Sequence, residues 1–197
     1  MSLVRLLARS SAVTVAALAV LLAAPTLAHS STLIGANMGV SILSSEGETQ
    51  TVIGIPHSGD IYFGGMRPGL RISGIGASGG PEVYLDAGVT MFSYEGDSYH
   101  SMVGTLNYQH NLSPANSTSP FVTLGAGIGH IGIFAGSGET IFLVGAGVGV
   151  RHWLAHRHGA TRIELRYDRM EQSEGDTPGV NVLAFKFGFD LVLNGGE

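Results

Sequence analysis

The chain of 197 residues has no cysteine, one tryptophan and only 13% charged residues. Without cysteine no disulfide framework is possible, so the fold must stand on packing and hydrogen bonds. Ten Lys and Arg face fifteen Asp and Glu, a net charge of −5, which gives no basis for a nucleic-acid partner. After the first 28 residues no stretch is long or apolar enough for a membrane-spanning helix. That exclusion does not extend to a closed β-barrel, whose strands satisfy each other's backbone groups in lipid.

What the N-terminus does contain is an export signal. Arg5 and Arg9 make a positive leader, Ser11 to Ala24 is apolar, and Thr26-Leu27-Ala28 offers small residues at the cleavage positions. Pro25 ends the apolar run before the ~20 residues a span needs. Cleavage after Ala28 is expected, leaving residues 29–197 as one domain.

The mature chain is rich in glycine, 30 residues in all, and alternates. In Ile141 to His152, Phe142, Val144, Ala146, Val148 and Val150 fall on one face of a strand. Gly145, Gly147, Gly149 and Arg151 fall on the other. No helix sorts these residues so. The same reading gives eight strands: Leu33–Leu43, Ile61–Ser73, Glu82–Phe92, Tyr99–Leu112, Phe121–Ile133, Ile141–Leu154, Thr161–Met170 and Val180–Leu193. Compact polar turns at 76–81, 113–118 and 155–159 join strands two to three, four to five and six to seven. The other connections vary more, and the longest is Ser44 to Asp60. Short turns at one end and longer loops at the other are the pattern of a transmembrane barrel, with both termini on the short-turn side.

The non-lipid face carries charge of both signs. Arg67, Arg71, Arg151, Arg162, Arg166 and Lys186 share it with Glu82, Asp86, Glu164, Asp168 and Asp190. An eight-stranded barrel has an interior just wide enough for side chains to fill. Buried charges are tolerated there when paired, so a plugged interior network is expected rather than a pore. Alternation alone also fits a soluble sandwich or lipocalin-like barrel with its apolar face turned inward. The aromatic row Phe185, Phe187, Phe189 and the export signal favour the lipid-facing arrangement.

The chain resembles the small eight-stranded outer-membrane barrels, of the OmpX and OmpA transmembrane-domain type. The likeness is carried by Pro120 to Gly129, Gly145 to Arg151 and Arg162 to Tyr167, in the order glycine-rich, glycine-rich, charged, then an aromatic terminal strand. It implies an all-β, eight-stranded antiparallel up-and-down barrel in a bacterial outer membrane. It also implies outer-membrane lipid and lipopolysaccharide, the barrel-assembly machinery and periplasmic chaperones as partners, with a monomeric state. Such barrels usually end on an aromatic residue, whereas here Phe189 to Leu193 is followed by Asn194-Gly195-Gly196-Glu197.

Other motifs carry less. Gly127-Ile128-Gly129-His130-Ile131-Gly132 matches a dinucleotide fingerprint in pattern, but a strand end and a turn follow it instead of a helix. His152, His156 and His158 straddle a turn without fixed geometry and read as solvated turn residues. No cofactor or metal is expected. The chief rival is an enzyme, since outer-membrane lipid A deacylases are barrels of this size. They carry a His-x-Ser pair on the next-to-last strand, where this chain reads Arg166-Tyr167-Asp168-Arg169-Met170. A secreted soluble barrel binding a small lipophile is the third reading. The expectation is a non-enzymatic outer-membrane barrel with a structural, envelope-integrity or surface-interaction role.

Overall fold

In a computed structural model of the chain, the described residues are 31–45, 69–75, 80–94, 97–133, 138–154, 157–172 and 179–193. The export signal, the Ser44–Asp60 connection beyond Ser45, and Arg67 lie outside them. Eight strands form: β1 (Ser31–Ser45), β2 (Gly69–Ile75), β3 (Pro81–Tyr94), β4 (Asp97–Asn111), β5 (Thr118–Ile133), β6 (Gly138–Leu154), β7 (Gly159–Gln172) and β8 (Val180–Val192). Each pairs antiparallel with its chain neighbour, and β1 pairs with β8 from Leu33↔Val192 to Ser45↔Val180. The sheet is therefore a closed barrel with no open edge between its first and last strands.

Strand ends differ from the sequence expectation where turn chemistry is subtle. β5 begins at Thr118 and takes in Pro120, although proline cannot donate to a ladder. Pro120 still serves as an acceptor, since the Leu112 amide donates to its carbonyl at 2.8 Å. In the β6–β7 turn Arg157 adopts a left-handed backbone with φ of 65°. Its guanidinium donates to the carbonyls of Pro114 at 2.8 Å and Ala115 at 2.9 Å, tying this turn to the β4–β5 turn.

The pleat sorts the side chains inside from outside. On β8, Leu183, Phe185, Phe187, Phe189 and Leu191 are exposed, while Ala184, Lys186 and Asp190 are buried. Every strand contributes to the same outer belt: Met38, Ile72, Leu85, Met102, Leu124, Val148 and Leu165 are exposed on β1 to β7 in turn. Polar residues border this belt at both ends. His110, Thr118 and His152 lie at the end carrying the described short turns, and His100, His130 and Thr140 at the opposite end.

Candidate functional site: the charged barrel interior

Inward positions of β2, β3 and β6 to β8 bring five cations, Arg71, Arg151, Arg162, Arg166 and Lys186, against five carboxylates, Glu82, Asp86, Glu164, Asp168 and Asp190. All ten are buried or nearly so. Nearest the short turns, Glu82 binds two guanidiniums. Arg151 approaches its carboxylate at 2.6 and 3.1 Å, and Arg71 pairs with it from the neighbouring strand. Asp190 on β8 takes the remaining reach of both, at 3.3 Å from Arg71 and 3.4 Å from Arg151. Two acids and two guanidiniums thus close a ring across the lumen, with the Arg71 guanidinium 3.8 Å from the Tyr84 ring centroid.

One layer further in, Arg162 donates to Glu164 at 2.7 Å and to the Tyr84 hydroxyl at 3.0 Å, and Thr123 donates to Glu164 at 2.8 Å. Arg166 pairs with Asp168 at 2.7 Å and donates to the Asn107 side-chain oxygen at 2.7 Å. Glycine makes room for these long side chains. A Cβ on Gly125 would collide with the Asn107 amide, and one on Gly145 with the Asp168 carboxylate. The glycine-rich faces of β5 and β6 are the space into which the arginines of β7 extend.

Lys186 pairs with an acid on a strand that is not its ladder neighbour. Its amine donates to Asp86 on β3 at 2.8 Å, and Asn37 donates to the other Asp86 oxygen at 3.0 Å. Glu164 is the ladder partner of Lys186 but is already held by Arg162 and Thr123, and Asp190 by Arg71 and Arg151. The carboxylate left for the lysine is across the lumen. Asn37 and Thr123 were not singled out in the sequence, because a lone small polar residue on a strand does not show which acid it will meet.

The far end of the interior is different again. Val103, Ile141, Leu143, Met170 and Val182 form a buried apolar cluster above the charges. In the sequence the inward face is marked by its glycines and charges. The run Ile141-Phe142-Leu143-Val144 is apolar on both faces, so alternation is silent there. Among the described residues, a gap of about 10 Å³, room for about one water, lies on each side of the Lys186–Asp86 pair. Among the described residues, salt bridges occupy the lumen below and the apolar cluster occupies it above.

Outward apolar belt and inward charge together invert the arrangement of a soluble barrel, and lipid is the solvent that such an exterior suits. Among the described residues, no helix is long and apolar enough to cross a membrane.

No family model matches the chain, and no curated protein matches it in sequence. Solved structures match its shape. Neisserial surface protein A superposes with a TM-score of 0.62 at 11% identity, covering 82% of this chain and 97% of that one. The outer membrane protein OprG of Pseudomonas aeruginosa gives 0.54 at 14%, covering 85% and 97%. The outer membrane enzyme PagL gives 0.52 at 16%, covering 78% and 97%. At such identities the likeness is one of architecture. The closed ladder, the strand count and these three superpositions agree: the chain has the fold of the small eight-stranded outer-membrane β-barrels.

Proposed function

We propose that the protein is an integral outer-membrane barrel that works without catalysis, as a structural or surface-interaction element of the envelope. The observation that carries this reading is the filled lumen, in which ten paired charges and an apolar cap occupy the space a pore or substrate would need. Its partners are then outer-membrane lipid and lipopolysaccharide against the belt, with periplasmic chaperones and the barrel-assembly machinery during insertion. A monomer suffices, because closure removes the edge through which strands pair between copies. One structural neighbour is an enzyme, but β7 of this chain, Gly159–Gln172, holds neither histidine nor serine. A lipid A profile unchanged by expression of the protein is the expected result for the non-catalytic reading.

The short turns are assigned to the periplasm on their compactness. The protein should fractionate with outer membranes and migrate faster on gels before boiling than after. An epitope inserted at Asn116, exposed in the β4–β5 turn, should react only after the cells are permeabilised. Reaction on intact cells would reverse the orientation, and recovery in the soluble periplasmic fraction would refute the membrane assignment.

A further inference from the structure

We propose that His100 and His130 form a two-histidine site for a divalent transition-metal ion, Zn²⁺ being the best fit, on the outer rim of the barrel. β4 and β5 pair so that His100 lies opposite Gly132 and His130 opposite Met102. The two histidines are thus diagonal neighbours on the outward face, a separation that long or aromatic side chains bridge. Their ring centroids are 5.9 Å apart and their planes inclined by 42°. Imidazoles bound to one ion through nitrogen at about 2.0–2.1 Å place their centroids about 5–6 Å apart in tetrahedral geometry. The observed spacing therefore needs only small side-chain adjustment to admit a metal.

Gly132 is the second observation. A Cβ there would come within 3.2 Å of His100 Cε1 and 3.2 Å of His130 Nε2. Both rings lean over a position that has no side chain, so the space between them is kept open by the glycine. His130 and Thr140, its ladder partner on β6, are both exposed, so ions and water reach the site. Among the described residues, no cluster of three or more His, Asp or Glu side chains could hold a metal. The described residues then supply two ligands and solvent the rest, which makes the site exchangeable. Imidazole suits zinc, copper and nickel over magnesium and calcium. The rim site stands apart from the luminal charges and does not depend on their role.

The test uses the full-length protein, without an affinity tag, folded in detergent micelles and titrated with ZnCl₂ by calorimetry. The imidazole resonances are followed by NMR. The expected result is one dominant site, with the His100 and His130 signals shifting together. His100→Ala and His130→Ala should each weaken it about 10²-fold, because the second ligand binds as an intramolecular partner. Gly132→Val should weaken it with both histidines present, and His110→Ala and His152→Ala on the other rim should leave it unchanged. A gel shift on boiling confirms that each variant is folded. Wild-type affinity in the His100→Ala/His130→Ala double variant would overturn the proposal. So would the absence of zinc binding up to millimolar concentration, or shifts confined to other histidines.

Discussion

At the scale of the residue, adjacent positions on one strand obey opposite rules. Phe187 is exposed at 47% on the outer belt, and its neighbour Lys186 is 8% exposed and bound to Asp86. Phe187→Arg should cost roughly 2 to 4 kcal/mol of folding stability in lipid vesicles if that position lies near the midplane, less in thinner bilayers. Lys186→Leu leaves Asp86 buried with the Asn37 amide as its remaining polar partner, at a cost of about 3 to 5 kcal/mol. Adding Asp86→Asn should recover much of that loss, since the uncompensated charge is then gone. Urea unfolding in vesicles measures all three. A neutral Lys186→Leu, or a Lys186→Leu loss that Glu164→Gln repairs and Asp86→Asn does not, would refute the cross-lumen pair.

At the scale of the element, β6 shows how one strand meets two solvents. Gly147 points inward, where a Cβ would meet Glu164 Oε1 at 2.6 Å and Thr123 Oγ1 at 2.7 Å. Val148, next in the chain, is 56% exposed on the belt. Gly147→Val should therefore break the Thr123–Glu164 hydrogen bond and strain the packing, at about 1–3 kcal/mol. Val148→Leu should fall within about 0.5 kcal/mol of the parent. Equal effects at the two positions would mean that the pleat does not separate lumen from lipid. This alternation was legible in the sequence because side-chain direction along a strand is local geometry. Strand ends were less so. The sequence reading starts the fifth strand at Phe121, yet β5 begins before Pro120, because the backbone there accepts a hydrogen bond where it cannot donate one. The inward side of Ile141 and Leu143 was also hidden, since a run apolar on both faces has no period to read.

At the scale of the whole molecule, closure converts eight half-buried strands into one object with no free edge, and the lumen is the volume left inside. Ion pairs around Glu82, Glu164 and Asp86 fill one part, and the Ile141–Leu143 cluster caps the other. Purified protein in planar bilayers should consequently show no steady conductance of porin size. A reproducible large ohmic channel would contradict the plugged lumen. Lys186→Leu with Asp86→Asn removes the pair that separates the two water-sized gaps, so any small conductance should rise in that double variant before it rises in Gly147→Val.

The sequence by itself determined the number of strands, the face taken by residues wherever apolar and polar alternate, and the balance of charge on the inner face. Period-two patterning, glycine placement and turn chemistry are properties of short segments, and short segments carry them wherever they end up. Ten of the eleven inward charges named from the sequence lie paired in the lumen, and the eleventh, Arg67, lies outside the described residues. What only the tertiary structure decided is who pairs with whom. Lys186 and Asp86 are 100 residues apart, on strands that are not ladder neighbours. They meet because closing the sheet brings β3 across from β8, and because the nearer acids are already held by arginines. Likewise, His100 and His130 become neighbours only through the register of β4 on β5. Such contacts depend on barrel curvature and on competition among charges for a few partners, and neither is written in any one strand.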